Sequence, residues 1–146
     1  MAEINIDAKN AIFGRMATFA AKQSLLGNTI NIFNCEGVII SGNPIATRER
    51  YYHLIFKTGQ PNKGPFYSRM PDRFVKRMLR GMLPHKQQRG IDAYKRIMCY
   101  LGVPEEFKNK KLIKIKDADA SRLPKLKSIT VQSLLKSLGG SYESHT

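Results

Sequence analysis

Apolar and polar positions in the first 43 residues predict a strand, a helix and two further strands. Residues 4–7 alternate between the two types, and an apolar stripe at helical spacing then runs from Ile12 to the glycine at position 27. Residues 29–33 and 37–41 are short, apolar runs typical of strands buried on both faces. The order strand, helix, strand favours a parallel α/β sheet.

The pattern becomes helical again at Pro44 and is interrupted once. A proline at the start and Gly59 at the end bound a helix whose apolar stripe is predicted to be Tyr52, Ile55 and Phe56. Residues 60–68, QPNKGPFYS, carry two prolines and one glycine without helical periodicity, so we interpret them as an extended loop.

Residues 69–103 are predicted to form two short amphipathic helices joined through Gly81 and Pro84. The first helix has an apolar face and an opposite cationic face, formed by Phe74, Val75, Met78 and Leu79 and by Arg73, Lys76, Arg77 and Arg80, respectively. The inward apolar residues of the second helix are predicted to be Ile91, Tyr94, Ile97, Met98 and Leu101. Its outward cations are predicted to be Lys86, Arg89, Lys95 and Arg96. Gly102 and Pro104 then stop this helix.

The last third predicts one more strand and a closing helix. Residues 112–115, LIKI, are typical of a last or edge strand, and Thr130 is placed as the N-cap of a helix that ends at Gly139. The whole chain, residues 1–146, is predicted to be a single α/β domain. We expect three layers, with a central parallel sheet of about four strands flanked by helices and with basic helical and loop additions.

The distribution of charge adds a functional prediction to this architecture. The formal net charge is +14, and the segments 1–43, 44–100 and 101–146 contribute 0, +10 and +4. The middle segment contains thirteen Lys and Arg residues but only three acidic residues. A domain this self-repelling implies a polyanionic partner that docks on the middle segment.

The choice of cation favours RNA among the polyanions. Eight of the thirteen are Arg, whose planar guanidinium can bridge phosphates or stack on a base. Charge alone leaves a DNA-compacting protein open. A membrane is not favoured, because we find no apolar run near twenty residues, lipidation signal or secretory signal. We therefore expect a cytoplasmic protein whose Cys35 and Cys99 are reduced and buried.

Catalytic and metal-binding motifs are not visible. His53, His85 and His145 share no ligand spacing with each other or with the cysteines, and the acidic residues are scattered, so we expect no metal, no cofactor and no small-molecule substrate. Gly14 stands near a helix start without the further glycines that a phosphate-binding loop needs. An RNA- or nucleotide-processing enzyme on a Rossmann-like core remains the alternative to a binding protein.

Several motifs resemble one known family. The segment Arg80-Gly81-Met82-Leu83-Pro84, with its flanks RMPDRFVKRML and HKQQRGIDAYKRIMCYLGVP, resembles the universal large-subunit ribosomal protein thirteen family. Further matches occur in the family's order at Gly14-Arg15-Met16-Ala17, Asn34-Cys35-Glu36-Gly37, Ser41-Gly42-Asn43 and Gly102-Val103-Pro104. The resemblance covers about residues 4–104, and the compact length and closing SLLKSLGG look like the archaeal branch.

This resemblance implies a non-enzymatic constituent of the large ribosomal subunit that binds large-subunit ribosomal RNA, helps early assembly and contacts neighbouring ribosomal proteins. It implies an RNA-facing cluster of Arg69, Arg73, Lys76, Arg77, Arg80, Gly81, His85, Lys86 and Arg89, with Arg15 as a further contact. Gly81 is expected to let RNA approach the backbone closely. Charge adds Arg48, Arg50, Lys57, Lys63 and Arg96 as RNA-binding candidates.

Overall fold

Five strands and five α-helices form the fold in a computed structural model, which describes residues 1–125 and 127–142. In chain order they are β1 (Glu3–Asp7), α1 (Phe13–Leu25), β2 (Thr29–Phe33), β3 (Ile39–Ser41), α2 (Pro44–Tyr52), α3 (Pro71–Arg80), α4 (Gln88–Lys95), β4 (Ile97–Cys99), β5 (Ser128–Thr130) and α5 (Val131–Ser137). A π-helical turn, His53–Lys57, extends α2. The mixture of helices and a parallel sheet confirms the α/β class.

A parallel sheet with the strand order β1-β2-β4 supplies much of the core. Ile4 pairs with Ile30 on the central strand β2, and Ile30 pairs in turn with Ile97 on β4. Ile30, Ile32 and Ile97 are fully buried. The predicted strands at 4–7 and 29–33 are therefore confirmed, and the short apolar runs reflect burial of the central strand on both faces.

The prediction of about four parallel strands is wrong, because this sheet has three. After β2, Asn34 adopts a left-handed conformation with φ 56° and a 3₁₀ turn, Cys35–Gly37, redirects the chain. β3 consequently pairs antiparallel with β5 in a separate two-stranded sheet. The predicted strand at 112–115 contributes only one bridge, between Ile113 and Ile6. The three-layer arrangement stays a prediction.

The second basic helix is shorter than predicted, because α4 ends at Lys95 and the following residues form β4. The open edge of β2 captures this segment: the Ile30 amide donates to the Arg96 carbonyl at 2.9 Å, and the Tyr100 amide donates to the Ile32 carbonyl at 2.8 Å. Strand geometry also reverses the prediction for Met98, whose side chain is 41% exposed instead of facing inward.

The predicted apolar stripe of α2 and its π-helical turn is confirmed at Ile55 and wrong at Tyr52 and Phe56. Tyr52 and Phe56 are 47% and 49% exposed, whereas Tyr51 and Ile55 pack against the core. Residues four apart share a helix face, so both pairs satisfy helical periodicity. The edge-to-face contact between Tyr51 and Phe74 of α3, with ring centroids 5.1 Å apart, selects the inward pair.

Two smaller predictions are confirmed. Cys35 and Cys99 are free and buried, and hydrogen bonding to Cys99 together with burial raises the pKa of the Cys35 thiol. The Thr130 side chain caps α5, because its Oγ1 accepts a hydrogen bond from the Ser133 amide at 3.2 Å.

Candidate nucleic-acid interface

Helix α3 is amphipathic as predicted. Pro71 lies in its first turn, where the missing amide hydrogen costs no intrahelical bond. Phe74, Val75 and Leu79 are buried in the core. Arg73 and Arg80 are exposed on the opposite side, and Lys76, Arg77 and Met78 are half-buried at its borders. Burial of the apolar side thus fixes the direction in which the cations of α3 point.

The turn between α3 and α4 is held in place by close packing. A Cβ atom at Gly90 would lie 2.0 Å from the Pro84 carbonyl oxygen, so only glycine lets α4 approach the turn. Leu83 is buried beneath it. Gly81 differs, because its φ is −65° and a Cβ there would meet only the Met78 carbonyl oxygen, at 3.4 Å. The fold itself therefore does not require glycine at position 81.

Two arginines are ordered by aromatic rings. The Arg77 guanidinium lies 4.1 Å from the centre of the Tyr67 ring and donates a hydrogen bond from one terminal nitrogen to the Phe66 carbonyl oxygen at 3.1 Å. Arg69 lies over the Phe56 ring at 4.8 Å. These cation–π contacts orient the side chains without neutralising their charge.

Two lysines on this side of the molecule have similar neighbours. The Lys76 ammonium lies 5.0 Å from the centre of the Tyr94 ring, and Lys57 lies 5.9 Å from that of Tyr52. Their ammonium groups also remain charged and available to an anion.

The cations of the middle segment lack carboxylate partners. Within residues 1–125 and 127–142, no Lys or Arg between positions 44 and 100 forms a salt bridge. Asp72 accepts a hydrogen bond from the Arg73 amide, and Asp92 accepts one from the Gln88 side chain, so two of the three local acidic residues bond to neutral donors. Salt bridges within the described structure therefore do not relieve the repulsion among these cations.

Most of the predicted RNA-binding residues are exposed. Those at the surface are Arg15, Arg48, Arg50, Lys57, Lys63, Arg73, Arg80, Gly81, His85, Lys86 and Arg89, whereas Arg69, Lys76, Arg77 and Arg96 are half-buried. Of these, α3 and its turn bring together Arg73, Lys76, Arg77, Arg80, Gly81, His85 and Lys86, which we name the α3 platform.

Arg15 and Arg96 lie outside the α3 platform and donate hydrogen bonds to backbone carbonyl groups of distant segments. Arg15 donates to the Asp117 carbonyl oxygen at 3.0 Å, and Arg96 donates to the Ser24 carbonyl oxygen near the end of α1 at 3.2 Å. The Arg96 contact lies near the C-terminal end of α1, where a cation interacts favourably with free carbonyl groups. Sequence reasoning considered Arg15 only as an RNA contact, because a backbone carbonyl more than a hundred residues away carries no sequence signal.

A groove of about 350 Å³ lies between α2 and α3, and we name it the α2–α3 groove. Its lining has an apolar part, formed by Leu54, Phe74 and Met78, and a polar part, formed by Arg50, Arg80 and His85. Tyr51, Tyr67 and Arg77 complete the walls. Sequence reasoning missed Tyr51 and placed Tyr67 only within the extended loop of residues 60–68.

Metal and membrane sites are not found in the described part of the chain. Residues 1–125 and 127–142 contain no group of three His, Cys, Asp or Glu side chains that could hold a metal ion. None of the helices described is both long enough and apolar enough to cross a membrane.

Comparisons with known proteins agree with the resemblance noted in the sequence. The chain is 42% identical to the large ribosomal subunit protein uL13 of Methanopyrus kandleri over 92% of this chain and 85% of that one. The corresponding protein of Methanococcoides burtonii is 38% identical over 94% and 98%. That of Sulfurisphaera tokodaii is 44% identical over 92% and 93%. These organisms are archaea, in agreement with the predicted branch.

A family model described as Ribosomal protein L13 matches residues 2–106, which include the sheet, the α3 platform and the α2–α3 groove. The match extends over more than half of the chain, and the relatives align with most of it. The chain therefore belongs to the ribosomal protein L13 family.

Proposed function

We propose that this chain is a constituent of the large ribosomal subunit and binds large-subunit ribosomal RNA through the α3 platform. The single observation that supports this most is the lack of carboxylate partners for the thirteen cations between positions 44 and 100 in the described structure. Unpaired cations that are fixed on a folded surface attract phosphates and release counterions when they bind. The assignment to the large subunit follows the names of the relatives, which are large ribosomal subunit proteins.

The platform suits folded RNA because Arg77 is already oriented. Contact with the Tyr67 ring holds its guanidinium group before any ligand arrives, and the Phe56 ring does the same for Arg69, which lies outside the platform. Ordering fewer side chains on binding lowers the entropic cost of association. If about six cations contact phosphate, a salt dependence with a slope of roughly 0.7–0.9 per contact follows, together with ample affinity.

We propose further that this contact forms early in assembly of the large subunit and that neighbouring ribosomal proteins complete the surroundings of the chain. A protein with an overall charge of +14 favours binding to exposed RNA before other proteins cover it. The site of action is then the ribosome in the cytoplasm.

The alternative of an RNA- or nucleotide-processing enzyme is not supported. The family consists of structural ribosomal proteins, which confirms the prediction that the chain is not an enzyme. Gly14, the one glycine that invited comparison with nucleotide-binding loops, is exposed at the start of α1 without a glycine-rich loop around it.

A sucrose gradient of cell lysate tests the proposed function directly. We expect the protein to sediment with the large subunit at moderate salt and to dissociate as salt is raised. Sedimentation free of the subunit at moderate salt would contradict the proposal. A DNA-compacting role predicts instead comparable affinity for duplex DNA and ribosomal RNA across a salt series, so that measurement separates the two polyanions.

A further inference from the structure

The α2–α3 groove combines two chemistries that ordinary phosphate contact does not need. An exposed cation neutralises a phosphate without a concave surface beside it, yet here an apolar floor of Leu54, Phe74 and Met78 lies next to Arg50, Arg80 and His85. Phosphate gains nothing from the apolar floor, and an apolar side chain gains nothing from the cations. A nucleotide satisfies both, because its base is flat and largely apolar on its faces while its phosphate is charged.

We propose that the α2–α3 groove binds one unpaired nucleotide of the RNA, with the base inside the groove and its phosphate at the cationic rim. This inference rests on the proposed RNA-binding function and specifies part of it. At about 350 Å³ the groove lies at the small end of ligand pockets, which fits a single nucleotide and excludes a duplex. Single-stranded loops and bulges are the parts of RNA that expose such bases.

The walls are suited to stacking. The Arg77 guanidinium is held by the Tyr67 ring, whose centre is 4.1 Å away, and by the Phe66 carbonyl at 3.1 Å, so a planar cation and an aromatic ring in mutual contact border the groove. Bases in RNA-protein complexes stack on aromatic rings and on arginine planes. Because both partners are ordered in the free protein, little side-chain freedom is lost when a base arrives.

The floor is also fixed before binding. Tyr51 donates a hydrogen bond from its hydroxyl to the Met78 sulfur at 3.2 Å, and its ring packs edge-on against Phe74 at 5.1 Å. Burial raises the pKa of the Tyr51 hydroxyl, which therefore stays protonated and neutral at physiological pH. These contacts hold the floor in place, and its neutral Tyr51 leaves the positive charge to the arginines of the wall and rim.

The rim provides the phosphate contacts. Arg50 reaches the groove from α2, and Arg80 and His85 reach it from α3 and the following turn. All three are exposed and none has a carboxylate partner in the described structure. Arg50 thereby acquires a defined role, whereas Arg48, on the same helix, does not line the groove.

Two RNA hairpins with the same stem test the inference. In one, a fluorescent adenine analogue forms a single-nucleotide bulge, and in the other the analogue is paired. We expect the protein to bind the bulged hairpin about tenfold more tightly, because stacking one base contributes about that factor or more. We also expect the emission of the bulged analogue, and not of the paired one, to be quenched on binding.

Variants of the groove locate the effect. Tyr67→Leu removes the ring and should bring the ratio of the two affinities close to one, whereas Tyr67→Phe keeps the ring and should keep the preference. Leu54→Trp fills the groove and serves as a second probe, with circular dichroism to verify that each variant is folded. Arg73→Ala lies outside the groove and should weaken binding of both hairpins equally.

Each outcome separates the inference from the proposed function. Equal affinity of the wild-type protein for both hairpins overturns the nucleotide site and leaves RNA binding intact. A preference that persists in folded Tyr67→Leu and Leu54→Trp overturns its placement in this groove. Failure to bind either hairpin in a salt-dependent way overturns both proposals.

Discussion

Two regions of this molecule are rich in cations and differ in how they hold them. Between positions 101 and 142, four cations pair with carboxylates: Lys108 with Glu105, Lys110 with Glu3, Lys114 with Asp7 and Arg122 with Asp117. Between positions 44 and 100, the described structure pairs none. Whether the cations pair with carboxylates is therefore more informative about binding than how many cations there are. We assign RNA binding to residues 44–100, where they are unpaired.

Charge reversal should give the largest difference between the two regions. Arg77→Glu with Arg80→Glu is expected to block incorporation into the large subunit and to lower RNA affinity about 100-fold or more, because hydrogen bonds to charged groups contribute about 1.5–3 kcal/mol each. Circular dichroism should show an intact fold. The matched control Lys108→Glu with Arg122→Glu changes the net charge by the same amount and should still be incorporated. Normal incorporation of the Arg77→Glu, Arg80→Glu variant would refute the α3 platform as the RNA-binding site.

Removing a buried side chain of α3 should separate folding from binding within one helix. Leu79 is fully buried, so Leu79→Ala is expected to lower the free energy of unfolding by about 2–5 kcal/mol. Urea denaturation measures this loss. Under conditions where the variant remains folded, its RNA affinity should match the wild type, and a large loss of affinity there would show that the outward cations depend on core packing.

The two glycines that flank the turn should respond in opposite ways. Gly90→Ala places a Cβ 2.0 Å from the Pro84 carbonyl oxygen and is expected to destabilise the protein by about 1–3 kcal/mol. Gly81→Ala meets no such obstacle and should stabilise it by about 0.4–1 kcal/mol, while RNA affinity falls if the RNA backbone approaches this position. Thermal unfolding and an RNA titration of both variants test the pair.

Single cations should differ in the salt dependence of binding. Arg73→Ala is expected to reduce the slope of log affinity against log salt by roughly 0.7–0.9, which corresponds to one lost phosphate contact. Lys114→Ala removes a cation that pairs with Asp7 and should leave the slope unchanged. Equal slopes for the two variants would remove the distinction between paired and unpaired cations.

The smallest effect is expected at an exposed salt bridge. Arg122 and Asp117 are 2.6 Å apart, but both side chains are more than half exposed to solvent. Arg122→Ala should therefore lower the free energy of unfolding by about 0.2–1 kcal/mol and leave RNA affinity unchanged. Denaturant titration resolves the upper part of that range, and a clear loss of RNA binding would extend the interface into the paired region.

Local periodicity predicted the elements that depend on local sequence. The strands at β1 and β2, the helix α1 and both faces of α3 agree with the sequence, because a continuous pattern of one period determines each of them. β4 was missed for the opposite reason. Its three residues continue the apolar spacing of α4, and only the edge of β2, which lies more than sixty residues earlier, makes them a strand.

The candidate site also has a part that local sequence predicts and a part that depends on distant contacts. Charge patterning predicted the outward cations of α3, since helical spacing alone places Arg73, Lys76, Arg77 and Arg80 on one side. The α2–α3 groove could not be predicted, because Tyr51, Tyr67 and Arg77 come from three separate segments that only the folded chain brings together. The carbonyl partners of Arg15 and Arg96 could not be predicted either, because they lie far away in the sequence.

The direct passage from α4 into β4 has a mechanical consequence. The turn that carries His85 and Lys86 is bounded by α3, which is packed in the core, and by a short helix that runs into a strand hydrogen-bonded to β2. A pull exerted by RNA on this turn is therefore transmitted to the central strand of the sheet. The turn is thus tied to packed elements at both ends, although its exposed amides should exchange with solvent faster than the buried amides of β2, because they open locally without the sheet.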